Sequence, residues 1–498
     1  MTRILFGQSY YLRFDRKLHA AMQPYPPLGT LYAASCLRNR GYDVALFDAM
    51  LAASEEEWTS ALELHRPRYA VMYEDNFNYL SKMCLLRMRQ AVFRMISASK
   101  SANCTVIVCG ADATDHAGAY LRQGADYVIQ GEGEETLGRL MDVLEGRDSL
   151  PVAEVAGLIW RDSEQVLRRN AGRPPMTRLD EIPFPAWDLL DIPRYRSLWR
   201  SRHGYFSMNM VTTRGCPYHC NWCSKPIWGQ RYNSRSPENV VAELEFLSSW
   251  FQPDHIWFAD DIFGLKPGWV ERFGNLIREK QLTVRFKCQM RADLVKPSVV
   301  DGLKAAGCET VWLGAESGSQ RILDAMEKGT TVEQIRDARR LLAAAGIQVG
   351  FFLQFGYPGE TRADIDLTLG MVRDLMPEDI GISVSYPLPG TGFYERVRAQ
   401  LGRKQNWTDS DDLAMLYRGP FPEAFYRVLY RTVHEEFRMR RALRRVGAPR
   451  PASNSWRTGR LRNLASAGKH WLHWRVHRFR LERFREQPEA SVLAAEKI

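Results

Sequence analysis

The sequence predicts an α/β protein: an N-terminal doubly wound (Rossmann-like) parallel sheet, then a partial (β/α)6 barrel, then a helical, basic C-terminal region. Three observations carry this prediction. Short apolar runs alternate with helix-period segments from residue 3 to residue 146. The alternation breaks at a proline-rich stretch and resumes from residue 207 to about residue 400. At 498 residues the chain is long enough for two or three such units.

In the first unit, strands are expected at 3–7, 43–47, 69–73, 105–109 and 125–129, with helices near 28–40, 54–65, 80–99, 115–123 and 134–146. Such sheets bind ligands beyond the carboxyl ends of their strands. Those ends carry Gln8-Ser9, Cys109-Gly110-Ala111-Asp112 and Gln130-Gly131-Glu132-Gly133. Glycines there let a backbone approach a ligand, or simply make tight turns. A connector over 151–205 holds a small hairpin (155–161 with 165–169). Beyond it, Pro174-Pro175 and Ile182-Pro183-Phe184-Pro185 enforce extended chain. The barrel strands are expected at 207–212, 255–259, 283–288, 310–313, 348–355 and 381–385. The domains expected are therefore 1–150, 151–205, 206–400 and 401–498, and the barrel's chemistry belongs on the loops after its strands.

The loop after the first barrel strand holds Cys216, Cys220 and Cys223, in Thr-Arg-Gly-Cys-Pro-Tyr-His-Cys-Asn-Trp-Cys. Three thiolates so spaced can hold a four-iron cluster with one iron left open to a small molecule. Zinc is the competing reading, with His219 as a fourth ligand. The C-x-x-x-C-x-x-C spacing, with Trp222 before the last cysteine, resembles the signature of the radical S-adenosylmethionine (radical SAM) enzymes. The resemblance implies a 4Fe–4S cluster on the three cysteines, whose open iron chelates SAM, and reductive cleavage of SAM to a 5′-deoxyadenosyl radical. It also implies that Trp222 shields the cluster, with its backbone near adenine. The pair Asp260-Asp261 follows the second barrel strand, where many members have Gly-Gly-Glu. One of the two is expected at the SAM amino group, and an N-cap role remains open for the other. Gly314-Ala315-Glu316-Ser317-Gly318 resembles the segment that sets Glu316 and Ser317 against the ribose or methionine part of SAM. A buried glutamate needs a partner, so a ligand contact competes there with a structural ion pair. The turns at 355–361 and 386–391 are family-like; they line the adenine or substrate pocket or are structural only.

Three N-terminal stretches, 25–34, 108–114 and 126–134, are similar to the cobalamin-binding domain that precedes the barrel in one radical SAM subfamily. The similarity implies cobalamin contacts from Gln8, Gly110, Ala111, Gln130, Gly131, Glu132 and Gly133. The D-x-H-x-x-G motif that ligates cobalt from below is absent, because His116 follows Asp115 directly. The activity implied is methyl transfer to an unactivated carbon of a small molecule. Radical oxidative cyclisation, as in the anaerobic magnesium-porphyrin cyclase, is the alternative. An external donor of flavodoxin or ferredoxin type would supply the electron. No second cysteine triad is present, which counts against a methylthiotransferase. Cys104 and Cys109 read as buried hydrophobes.

Hydrophobic residues make up 45% and charged residues 25%, ordinary for a soluble protein. No signal peptide, disulfide framework or transmembrane run is evident, so a cytoplasmic location is expected. The net charge of +10 is local: residues 421–498 carry 18 Lys and Arg against 7 Asp and Glu, leaving 50 against 51 elsewhere. Residues 421–447 read as a helix with Phe425, Val428, Leu429, Val433 and Phe437 on one face, capping the barrel mouth and lining the substrate entrance. After Pro449-Arg450-Pro451, Leu461, Leu464, Leu472, Val476 and Phe479 fall near helical spacing. Trp471, Trp474, Arg475, Arg478, Arg480, Arg483 and Arg485 decorate that second segment. This suits peripheral membrane contact and an apolar or lipid-like substrate. Nucleic acid is a weaker partner for lack of a recognised module, and a merely solvated helix is the plain alternative.

Overall fold

The computed structural model describes residues 3–74, 83–446 and 456–484. Arg485, the Pro449-Arg450-Pro451 break and the start of the helix expected near 80–99 lie outside the described residues. The first sheet contains β1 (Arg3–Gly7), β2 (Asp43–Leu46), β3 (Tyr69–Tyr73), β4 (Thr105–Cys109), β5 (Tyr127–Ile129), β6 (Leu158–Arg161) and β7 (Leu167–Arg169). Its order is β2-β1-β3-β4-β5-β6-β7. The first five strands are parallel, and β6 and β7 join antiparallel at one edge. The hairpin expected within the connector thus extends this sheet. Tyr69, Ala70, Val71, Met72 and Tyr73 are all buried because helices cover both faces. Order reverses between β1 and β3, the place where such sheets open a ligand crevice.

The second sheet begins with β8 (Ser207–Met210). A two-stranded ribbon follows, β9 (Thr213–Arg214) with β10 (Asn233–Ser234). Then come β11 (His255–Phe258), β12 (Phe286–Met290), β13 (Cys308–Glu316), β14 (Gln348–Phe355) and β15 (Asp379–Val384). The six barrel strands are parallel in the order β15-β14-β13-β12-β11-β8, a half-barrel that stays open. Outward residues such as Val311, Leu313, Phe351 and Leu353 are fully buried beneath helices.

The two units interlock. The proline-flanked Tyr25 reaches from the first unit under the barrel, its ring centroid 5.1 Å from Trp199 and 4.7 Å from Trp257. Its hydroxyl lies 3.2 Å from Ser207 Oγ, Trp199 Nε1 donates to Pro24 O at 2.7 Å, and Asn209 Nδ2 donates to Pro26 O at 3.0 Å. Carbonyls freed by three prolines in a row of four are thereby satisfied. Residues after the barrel also return to the first unit, where Leu86 N–H donates to Trp407 O at 2.7 Å and Asn406 Nδ2 to Cys84 O at 2.9 Å.

The helix Glu423–Val446 buries Phe425, Leu429, Val433 and Phe437 as the sequence pattern predicts. Its location corrects the expectation. It packs along β15 and the helix Arg362–Leu375, with Arg373 Nε donating to Glu436 Oε1 at 2.6 Å, and lines no part of the central cavity. An open half-barrel leaves β15 as an edge strand, and this helix covers it. The last helix, Trp456–Leu481, packs on Glu423–Val446, with His470 Nδ1 2.6 Å from Glu435 Oε2. Leu461, Leu472 and Phe479 remain 67%, 59% and 59% exposed.

Candidate active site

The carboxyl ends of both sheets face one cavity of about 360 Å3. The first unit contributes Gly29, Tyr32, Tyr73, Gly110, Ala111 and Gly131, and the barrel contributes all three loop cysteines with Asp260, Asp261 and Glu316. Cys216 and Cys220 are buried and Cys223 is half-buried. Burial pushes the Cys216 thiol up from its usual value. His219 is exposed and does not line the cavity. Among the described residues, no three His, Cys, Asp or Glu side chains converge closely enough for a single metal ion. Thiolates that each bind a different iron of a cluster need no such common point.

Local chemistry fixes the loop. Asp260, 1% exposed, accepts from Thr212 N at 2.7 Å and Thr213 N at 2.8 Å through Oδ1, and from Thr212 Oγ1 at 2.7 Å through Oδ2. Its burial raises the carboxyl to about 6. Both oxygens of Asp260 are therefore engaged in holding the loop, and Asp261 is the half-buried member of the pair. Gly215 follows with φ +78°, where a Cβ would lie 2.3 Å from Arg231 O. Asn221, between the second and third cysteines, donates to Ala325 O at 2.9 Å and accepts from Tyr357 OH at 2.8 Å.

Glu316 ends β13 with φ +55°, a left-handed conformation that a non-glycine residue holds only under constraint. Its Oε1 accepts from Lys328 Nζ at 2.8 Å, and both side chains are buried at the cavity wall. The ion pair and the cavity position coexist. Ser317 does not reach the cavity: its hydroxyl lies 3.1 Å from Thr368 Oγ1 and accepts from Ser319 N–H at 3.1 Å, behind the wall. The Ser317 hydroxyl is thus engaged within the protein, away from the lining where a SAM contact was expected.

Four residues of the expected cobalamin set are also displaced from the cavity lining. Gln8 Oε1 accepts from Tyr10 N–H within its own turn. Gln130 accepts from Arg169 at the outer hairpin. A Cβ at Gly133 would lie 2.5 Å from Cys109 Sγ, so that glycine serves close packing. Glu132 accepts from Met176 N–H at 2.5 Å and from Arg214. Gly110, Ala111 and Gly131 do line the cavity, and Gly131 has φ +75°. His116 sits at a kink of the helix Ala111–Arg122, 3.8 Å from Asp112 Oδ1, and is not part of the lining.

Sequence reasoning missed Arg214 and Lys328. Arg214, two residues before Cys216, donates to Glu132 and, at 2.7 Å, to Glu134 of the first unit. The alternate carboxylates of Gly-Glu-Gly-Glu were the available signal, since buried acids demand a cation. Buried polar atoms of lining residues that lack hydrogen-bond partners include Asn209 Oδ1, Trp222 Nε1 and Trp228 Nε1. Orphaned polar atoms around one cavity suit a polar ligand there.

Residues 210–372 match the family model described as the Radical SAM superfamily. Residues 210–372 thus carry a radical SAM domain. That segment runs from the last residue of β8 into the helix after β14 and contains the three cysteines. The chain is 28% identical over 388 residues to an uncharacterized methyltransferase of Pyrococcus horikoshii, covering 77% of this chain and 81% of the relative. It is 27% identical over 427 residues to the hopanoid C-3 methylase of Methylococcus capsulatus, covering 82% and 75%. A 26% match over 280 residues to the anaerobic magnesium-protoporphyrin IX monomethyl ester cyclase of Rubrivivax gelatinosus covers 55% and 49%. The cobalamin-dependent S-adenosylmethionine radical enzyme OxsB shares the fold, with TM-score 0.72 and 18% identity over 97% of this chain and 72% of that one. TsrM, a radical SAM methyltransferase from Kitasatospora setae, does so with TM-score 0.65 and 20% identity over 81% and 77%.

Proposed function

We propose that this chain is a cobalamin-dependent radical SAM enzyme that methylates an unactivated carbon of a small molecule. One observation carries the reading: the cysteine loop and the carboxyl end of the N-terminal sheet open into the same cavity. When bound, a 4Fe–4S cluster with SAM supplies the radical that removes a substrate hydrogen, and cobalamin supplies the methyl group. Cys216, Cys220 and Cys223 would hold the cluster and Asp261 the SAM ammonium. Glu316, oriented by Lys328, would contact the ribose or methionine part, while Trp222 excludes water from the cluster. Gly110, Ala111 and Gly131 would give the corrin a close backbone approach. Asp260 and Arg214 would act indirectly, by fixing the loop.

The Pyrococcus and Methylococcus relatives, both named for methylation, match over three-quarters or more of both chains, whereas the cyclase matches cover 45–64%. That difference favours methylation over oxidative cyclisation. An electron donor of flavodoxin or ferredoxin type and peripheral membrane contact through the exposed stripe of Trp456–Leu481 complete the proposal. No helix of the described residues is long and apolar enough to cross a membrane.

The test supplies SAM carrying a trideuteromethyl group, reductant and cobalamin to the reconstituted enzyme with a small-molecule extract of its own host. A product retaining all three deuteriums, formed together with 5′-deoxyadenosine, is expected. Products lacking the label would move the assignment to oxidative cyclisation.

A further inference from the structure

Small barrels normally fill their interior with side chains. Here the inward positions of β11 to β15 are the half-open ones: Trp257, Gln289, Trp312, Phe352 and Ser383 are only partly buried, and all line the cavity. Trp312 and Phe352 stack with centroids 4.7 Å apart and planes 24° apart. Each lies flat because its neighbour across the sheet has no side chain. A Cβ at Gly350 would lie 2.5 Å from Trp312 Cδ2, and one at Gly381 3.2 Å from Phe352 Cδ1. The result is an aromatic floor in the cavity that the cysteine loop also lines.

Polar groups around this floor are neutral: the Gln289 and Gln354 amides and the Ser383 hydroxyl. Gln354 Nε2 donates to Ser385 Oγ at 2.9 Å, which fixes the direction of its amide. Charged groups lie at the rim: Glu316 pairs with Lys328 and Arg291 with Asp293, Lys225 Nζ donates to Tyr218 O at 2.9 Å, and Asp261 is the carboxylate proposed for the SAM ammonium. Lys287, the inward residue below, is turned under Trp257 and Tyr25, with Nζ 5.2 Å and 5.4 Å from their rings, and does not line the cavity.

We infer that the floor of the half-barrel, Trp312 with Phe352, is the substrate subsite and selects an uncharged molecule with a flat aromatic or polycyclic face. This rests on the cavity being the site of methylation. An ionised substrate would leave water for a site with no unpaired counter-charge at its floor. A flat neutral face would instead stack on the two rings, with its polar groups directed to Gln289 and Gln354.

Three naphthalene probes of equal ring size test this by equilibrium dialysis against the reconstituted full chain: 2-naphthalenemethanol, 2-naphthoate and 2-naphthylmethylammonium. The neutral probe is expected to bind at least about tenfold more tightly than either ion. Trp312→Ala should weaken it by about tenfold and Trp312→Phe by much less. Equal binding of the three probes, or Trp312→Ala binding the neutral probe as wild type does, would overturn the inference. If Trp312→Ala fails to fold, the charge series on the wild-type protein still decides. A wild-type protein that ranks the probes as expected but forms no 5′-deoxyadenosine would sink the proposed function and leave the neutral aromatic subsite standing.

Discussion

Arg214 and Glu134 meet across the boundary between the two units, Nη2 to Oε1 at 2.7 Å, with side chains only 8% and 5% exposed. Glu132 occupies the same guanidinium from a second side. The residue two places before Cys216 is thereby tied to the strand-end loop of the N-terminal sheet. Replacing Arg214 with Met leaves two buried carboxylates facing each other. The expected loss is about 3–5 kcal/mol of stability in urea unfolding. Adding Glu132→Gln and Glu134→Gln to that variant should recover a large part. If Arg214→Met alone unfolds like wild type, the strut has no energetic role.

Asp260 supports the cysteine loop through three hydrogen bonds. Asp260→Ala orphans the Thr212 and Thr213 N–H groups, at about 1–3 kcal/mol each. Iron retained after reconstitution should fall by about 10- to 100-fold in affinity, the usual effect of removing a group that orients a ligand loop. Asp260→Asn, which can still accept both N–H bonds, should retain most of the iron.

Any one of Cys216→Ser, Cys220→Ser or Cys223→Ser should abolish the cluster's visible absorbance and 5′-deoxyadenosine formation together. The same changes at Cys104 or Cys288, buried away from the cavity, should leave both readouts in place in the protein that folds.

Glu360 predicts a pH dependence of stability. Its Oε2 accepts from Gly356 N–H at 2.6 Å, yet burial raises the carboxyl from 4.5 to about 8. The folded state therefore holds a proton that the unfolded chain releases above pH 4.5. This contribution is fully present below pH 4.5 and is lost as pH rises toward about 8. Urea midpoints measured between those limits should fall with pH in the wild type and fall less steeply in Glu360→Gln. Parallel slopes would show that Glu360 is not the group responsible.

The stripe on Trp456–Leu481 offers a further check. Leu472 and Phe479 are each 59% exposed, so Leu472→Glu and Phe479→Glu should change stability by no more than about 0.5 kcal/mol. Wild-type protein should co-sediment with anionic vesicles and release as salt rises. The double variant should remain in the supernatant at low salt.

Much of the fold was legible because it depends on local pattern. The apolar run at 348–355 is the strand Gln348–Phe355, and 69–73 is the strand Tyr69–Tyr73. What escaped the sequence depends on partners far along the chain. Ser317 looked like a ligand contact because its hydroxyl's neighbour, Thr368, comes from a helix 51 residues later. Asp260 and Asp261 were indistinguishable until the Thr212 and Thr213 amides separated them. The Phe425–Phe437 face was read correctly, but nothing local says that β15 ends the sheet and needs covering. The cysteines were readable because ligand spacing is itself a local property.

The hairpin β6–β7 changes how this protein can be divided. β6 closes the edge that β5 would otherwise present, with Val128 opposite Ile159. A fragment ending near residue 150 would expose a bare strand edge in its N-terminal sheet and invite self-association. One beginning there would carry Leu158 and Ile159 into solvent, since both are fully buried against that sheet. Separate expression of the two halves therefore needs its cut after Arg169. Even that cut strips the Tyr25 hydroxyl of Ser207, so neither half inherits a complete interior.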